Sequence, residues 1–304
     1  MAKKYVVQPF DRSTFPALYR CADDASNSAQ WWYIRWFAVN LGFLITGAVV
    51  GSMNFTDIEH KRIIQIIAAA CFFLALGTTL LLAARRWERV WYSGRAVAES
   101  VKSLTWKFVS GADPFPVTLD PSDAAKRFTE ALEELVHENK SIAAAFSGPN
   151  ATDEQITADM NKLRESSVGV IRDVYLAQRV NQQQEWYANK SALNRSYRNI
   201  WFGFLVFFQA AAGIAAIVLA VFPAFPWRAA AVFSTLASAT AAWGQVKRFQ
   251  ELAQAYGLAA QELSLISARG AHVRTREDIA RFVNDAETAI SREHSTWVAR
   301  RETR

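Results

Sequence analysis

The chain has 304 residues, 51% of them hydrophobic and 20% charged, with a formal net charge of +6. That length suggests one or two domains, and the mixture suits a membrane protein with large aqueous parts. Positive charge clusters beside the apolar stretches, which reads as topology and headgroup contact. With no zinc-finger spacing and no separate basic domain, no nucleic acid is expected as a partner. Cys21 and Cys71 belong at different depths, so no disulfide is expected. The four histidines are scattered at 60, 137, 272 and 294, which leaves no zinc site. After Met-Ala-Lys-Lys comes YVVQPFDR, with no apolar core before Trp36, so no secretory signal is expected.

Residues 1–30 are polar and mixed, and Pro9, Phe10, Phe15, Pro16 and Leu18 predict an extended N-terminal strap. Trp31, Trp32, Tyr33, Arg35 and Trp36 form an aromatic belt beside a basic residue. A first span is predicted from Phe37 to Phe55, with Asn40, Leu44, Gly47 and Gly51 on one face. A polar turn, Asn54 to Arg62, leads to a second span from Ile63 to Ala84. That span carries no charge and its length covers a bilayer's hydrocarbon. Arg85, Arg86, Trp87 and Trp91 follow at once. No proline interrupts the run to Phe108, so one continuous helix is expected to leave the membrane and carry an apolar stripe into water. Residues 31–121 therefore read as a transmembrane hairpin with a cytoplasmic extension, closed by a loop with Gly111, Pro114, Pro116 and Pro121.

Residues 122–198 read as a cytoplasmic helical region. One helix runs to Phe146 behind a cap at Asp120 or Ser122, and a long one starts behind Thr152 or Asp153. The polar NQQQEWY segment leads into a third span, Ile200 to Phe222. After an apolar Pro223 turn comes a fourth, Trp227 to Gln245, closed by Lys247 and Arg248. This helix too is expected to run on unbroken, to Gly270. A last helix carries Ile279, Phe282, Ala286, Ile290 and Trp297. Residues 199–304 thus form a second hairpin with C-terminal cytoplasmic helices. The fold class is all-α: an integral membrane protein with two hairpins whose helices extend into a cytoplasmic helical domain.

Lysines and arginines flank the outer ends of both hairpins, among them Lys3, Lys4, Arg35, Arg85, Arg86, Arg198 and Lys247, and are sparse in the hairpin turns. Both termini are therefore expected in the cytoplasm, with a bacterial inner membrane as the location. A constant shift places Arg35 on Arg198, Arg85 on Arg248 and Glu99 on Glu262. The halves share an order of elements and enter from the same side, a parallel repeat that suits a ring or bundle of like units and argues against alternating access.

No phosphate-binding loop, dinucleotide fingerprint, HExxH or GxSxG motif occurs, so no enzyme and no cofactor is expected. Carboxylate pairs such as Glu133 with Glu134, and His137 beside them, read as solvated helix faces. Apart from Arg228, which can snorkel from the outer end of the fourth, the spans hold no Asp, Glu, Lys, Arg or His, which weighs against an ion-coupled carrier. Their polar content includes Asn40, Thr46, Thr78, Thr79, Gln209, Ser234, Thr235, Ser238, Thr240 and Gln245, with Gly47 and Gly51 as small residues. Ala231, Ser234, Ser238, Ala241 and Gln245 share a face. Such residues line either a water-filled path or a tight helix seam.

The segment AESVKSLTWKFVSGADPF, Ala98 to Phe115, behind a basic and aromatic hairpin end, resembles the SLATT superfamily. These are two-transmembrane effector domains associated with SMODS nucleotidyltransferases and SLOG nucleotide sensors. The signature residues are Glu99, Lys102, Trp106, Phe108, Pro114 and Phe115. The second half looks like a second type fused behind the first. The resemblance implies a membrane-perturbing effector of bacterial conflict systems, with no catalytic residues to carry over and no nucleotidyltransferase or SLOG domain in this chain. Three readings follow. The first is a homo-oligomeric channel for antiphage defence, triggered by a nucleotide second messenger or sensor protein through the continuous second and fourth helices. The second is a non-conducting scaffold that recruits a partner. The third is a small-solute transporter.

Overall fold

The computed structural model describes residues 10–53, 57–147, 151–223 and 228–302, with side chains as far as Ser291. Lys3, Lys4, Pro9, Phe55, Trp227, the side chain of Trp297 and the middles of the two hairpin turns lie outside the described residues. The elements are α1 (Ala17–Ser52), α2 (Ile58–Arg85), α3 (Trp87–Ser110), α4 (Pro121–Glu138), α5 (Lys140–Ala143), α6 (Ala158–Glu165) and α7 (Val168–Tyr175). A π-helical turn, Leu176–Asn181, joins α7 to α8 (Gln182–Val221), and α9 (Ala229–Lys247), α10 (Phe249–Gly270) and α11 (Arg276–Glu302) follow.

The chain forms two compact units. One, here the membrane unit, comprises Trp31–Trp87 and Lys190–Gln254; the other, the charged unit, comprises Met1–Gln30, Glu88–Asn189 and Ala255–Arg304. In the membrane unit the apolar side chains face outward. Phe72, Phe73, Leu76 and Leu80 of α2 and Phe207, Ile214 and Ile217 of α8 are exposed, while α2 buries only the small stripe Ala68, Cys71, Ala75 and Thr78. A greasy exterior over a small-residue seam is the arrangement lipid selects. Three helical stretches, Ala17–Ser52, Ile58–Ser110 and Val168–Val221, are long and apolar enough to cross a membrane. The chain is an all-α membrane protein. The expected fourth span, now α9, is not among the three: alanine, serine and threonine dilute its hydropathy.

The charged unit has a conventional core. Trp106, Phe108, Phe115, Phe128, Tyr175, Ile171 and Ile279 are fully buried. Phe108, Phe115 and Phe128 meet pairwise, with ring centroids 4.9–5.7 Å apart. α3 stops where Gly111 takes φ +73°. There the Ala112 N–H reaches the Lys107 carbonyl at 2.9 Å and the Gly111 N–H reaches Phe108 at 3.3 Å, a Schellman closure. A Cβ on Gly111 would lie 2.5 Å from Val117 Cγ1. Arg164 then donates to the carbonyls of Phe108, Phe115 and Pro116, tying the loop to α6.

Three expectations change. The N-terminal strap is helical from Ala17, because Leu18, Cys21, Ala22, Ala25 and Ala29 make a stripe that packs on the core. Its first-turn amides are met from outside the helix: Ala17 N–H by the Glu154 carbonyl at 3.1 Å and Leu18 N–H by Gln155 Oε1 at 3.1 Å. The helices expected over 122–146 and from 152 onward are shorter. The first breaks at Asn139, and the second starts behind Thr157, whose hydroxyl accepts from the Met160 N–H, and breaks at Ser166.

The third change concerns the continuous second and fourth helices. Each is broken by one left-handed residue, Arg86 at φ 48° and Arg248 at φ 51°. The Arg86 N–H still bonds the Leu82 carbonyl at 3.2 Å, and the Arg248 N–H bonds Gly244 at 2.8 Å, so each span is capped before the next helix starts. Arg has no branch at Cβ and tolerates the position at a cost of about 1–2 kcal/mol. The pair places Arg86 on Arg248, one step off the register read from charged letters. The helices that pass unbroken out of the membrane unit are instead α1 and α8. In denaturant unfolding of the solubilised protein, Arg86→Gly should be more stable than Arg86→Val by about 1–2 kcal/mol, both having lost the same charge.

Candidate functional site

Among the described residues, each unit holds a buried cluster of polar groups. In the membrane unit, Asn40 of α1 is buried against α2. Its amide donates to the Ala75 carbonyl at 2.7 Å, Thr78 Oγ1 at 2.8 Å and Thr79 Oγ1 at 2.9 Å. Both threonine hydroxyls also bond the Ala75 carbonyl. Two and three turns on, Gly47 and Gly51 face the same partner. A Cβ on Gly47 would lie 3.0 Å from the Phe72 ring and 3.3 Å from Cys71 Cβ, and one on Gly51 would lie 3.6 Å from Ala68 Cβ. Asn40, Gly47, Gly51, Thr78 and Thr79 therefore form a helix seam. Thr46 lies outside it, exposed.

The other sequence-selected polar residues are not brought into that seam. Gln209 on α8 and Ser234, Ser238 and Gln245 on α9 are exposed. Thr240 turns inward and bonds the Leu236 carbonyl. The residues read as interface anchors make ring and cation contacts with one another. Trp32 stacks on Trp87 at 6.1 Å, the Arg35 guanidinium lies 3.9 Å above Trp31, and Trp243 meets Phe37, Trp201 and the Lys247 ammonium. Trp36 sits half-buried on α1, Arg85 ends α2, and Trp91 stacks on Tyr92.

In the charged unit, the centre is Arg179, 1% exposed, on the π-helical turn. Such a turn adds a residue to the helix and re-aims its side chains. Arg179 Nε and Nη2 grip Glu287 of α11 at 3.0 and 2.8 Å, and Nη1 faces Glu99 of α3 at 3.4 Å. The Tyr175 hydroxyl donates to Glu287 at 2.9 Å. The chain of charge continues outward: Glu99 to Arg95 at 3.0 Å, Arg95 to Asp23 at 3.7 Å, and Asp23 to Arg12 at 3.3 Å. Burial works against the Arg179 charge, but Glu287 and then Glu99 outweigh it, and its pKa is raised. Burial first, and Glu287 second, push the Tyr175 hydroxyl well above the usual tyrosine range, so it remains a donor. Burial pulls the nearby Lys102 ammonium down, with Glu99 opposing.

The signature residues thus divide by task. Glu99 and Lys102 belong to the charge cluster. Trp106 packs between Phe10, Phe15 and Tyr175, with Phe108 and Phe115 in the aromatic core, and Pro114 sits in the loop that Arg164 ties down. Arg179 and Glu287 were not singled out from the sequence. The available signal was a glutamate inside the apolar stripe Ile279, Val283 and Ile290 of the last helix. Nothing in the cluster offers an open nucleophile or acid–base pair; the arrangement fastens helices.

Residues 16–172 match the model of SMODS and SLOG-associating 2TM effector domain 3, and residues 175–297 match that of SMODS and SLOG-associating 2TM effector domain 1. Comparison with curated proteins and with solved structures found no match. The seam between the two matched segments falls within α7, beside Tyr175. Glu99 belongs to the first segment, and Tyr175, Arg179 and Glu287 to the second, so the buried fork joins the two.

Arg179→Ala leaves the buried Glu287 carboxylate with the Tyr175 hydroxyl alone and should cost about 3–5 kcal/mol of unfolding free energy. Arg179→Met combined with Glu287→Leu and Tyr175→Phe, which leaves no hydroxyl orphaned, should recover most of that loss, because Glu99 keeps Arg95. Asn40→Ala should cost about 1 kcal/mol, since Thr78 and Thr79 retain the Ala75 carbonyl. Denaturant unfolding in one detergent measures all three.

Proposed function

The chain belongs to the SMODS and SLOG-associating 2TM effector family, two such domains in tandem, and on that premise we propose that this membrane effector of a conflict system acts as an oligomeric channel in antiphage defence. It works without catalysis, in the bacterial inner membrane, with both termini cytoplasmic. A nucleotide second messenger or a sensor protein supplies the trigger, by binding the open and closed states unequally. The observation that carries this reading is the exposed face of α9. Ser234, Ser238 and Gln245 point away from their own protomer on the least apolar of the membrane-unit helices. Hydroxyl and amide groups against lipid are costly, and copies of the same face around an axis satisfy them with water and one another. α1 and α8, which run unbroken between the units, are the elements through which a bias reaches the hairpins.

The scaffold reading has one observation of its own. Asn40, Thr78 and Thr79 satisfy each other, so the first hairpin offers no wet wall. Reconstitution separates the two. Liposomes containing the channel should leak ions or dye under a trigger, and Ser234→Leu with Ser238→Leu should cut that leak at least tenfold while Asn40→Ala does not. A folded oligomer that stays impermeable under every tested nucleotide and partner leaves the scaffold.

A further inference from the structure

The membrane unit carries a groove of about 340 Å³ where α8 enters and α9 leaves the apolar layer. Its floor is apolar, with Phe202 and Leu205 of α8 and Gly244 of α9; Phe202 is 65% exposed. Its rim holds two guanidinium groups, Arg198 and Arg248. Glu251 pairs with Arg248. Arg198 bonds only the side-chain oxygen of its neighbour Asn199, at 3.0 Å, and no carboxylate pairs with it among the described residues. Past the left-handed Arg248, Phe249, Gln250 and Glu251 of the first turn of α10 line the same groove, at the positive end of a 22-residue helix.

We propose that this groove holds one anionic phospholipid per subunit, its phosphate between Arg198, Arg248 and the start of α10, and an acyl chain along Phe202 and Leu205. Charge complementarity selects the headgroup. One guanidinium is left after Glu251 is counted, which matches a single phosphodiester, and a choline cation would meet two arginines. The apolar floor selects a lipid over a free phosphate, because a soluble anion leaves Phe202 and Leu205 uncovered. The aromatic cluster of Trp201 and Trp243 marks the headgroup depth on this end of the spans. The proposal rests on the membrane-spanning reading and not on conduction.

The test uses the full chain in nanodiscs of equal phosphatidylglycerol and phosphatidylcholine. Retained lipid is then counted by native mass spectrometry after detergent extraction. One phosphatidylglycerol per subunit should persist. Arg198→Gln with Arg248→Asn, the asparagine keeping the left-handed turn, should weaken retention roughly thirtyfold. Gly244→Leu leaves both charges intact and should also empty the groove. An added Cβ at Gly244 meets nothing within 4 Å, and once size-exclusion chromatography shows this variant folded, it decides the matter if the double variant does not fold. Equal retention of the two lipids, or retention unchanged in the variants, overturns the proposal. Displacement by glycerol phosphate would make the groove a site for soluble phosphate and also overturns it. So does the absence of retained lipid because a second copy covers the groove.

Discussion

A guanidinium cannot be left alone in an apolar interior, and Arg179 is nearly inaccessible. Everything around it follows from that demand. α11 must present Glu287 at the depth where the fork closes, and α3 must present Glu99 on the other side. Tyr175 supplies the extra donor that Glu287 can still accept, and its ring packs edge-on against Trp106 and Phe282. A buried pair of this kind contributes little net stability over a well-packed hydrophobic alternative. What it contributes is register: helices from both tandem domains have one relative placement in which no charge is orphaned.

The membrane unit meets the opposite problem. Its surroundings already satisfy apolar side chains, so burial of leucine cannot hold its helices together. Contact comes from small residues and one shared carbonyl. Gly47 and Gly51 bring α1 close enough to α2 for the Asn40 amide to reach the Ala75 carbonyl beside two threonines. The two units therefore use polar groups for the same purpose in different solvents, a carboxylate–guanidinium fork in one and an amide–hydroxyl clasp in the other.

Much of this was legible in the letters. A charge-free Ile63 to Ala84 cannot be anything but a buried or lipid-facing helix, Asp120 caps α4 where the sequence offered Asp120 or Ser122, and Gly111 closes α3. The face shared by Asn40, Gly47 and Gly51 was visible, although which helix it meets is a tertiary fact. The left-handed breaks were invisible for a physical reason. Arginine is a good helix former, and no glycine or proline flags Arg86 or Arg248. The N-terminal helix was hidden by Pro16, which marks only its approach. The fork was hidden because a glutamate and an arginine far apart in the chain read as surface until their helices are brought together.

The π-helical turn at Leu176–Asn181 sets the phase of the helix that follows it. It lies a few residues past the point where one matched domain gives way to the next. An extra residue in a helix turns all that follows by roughly 100° about the axis. The 40-residue helix α8 is thus phased by this one insertion, like a screw thread cut with an added fraction of a turn. Removing a single codon here would leave composition, charge and hydropathy almost untouched. Yet it would swing every downstream face of that helix to a new bearing, so the fusion joint acts as an index mark for the second domain.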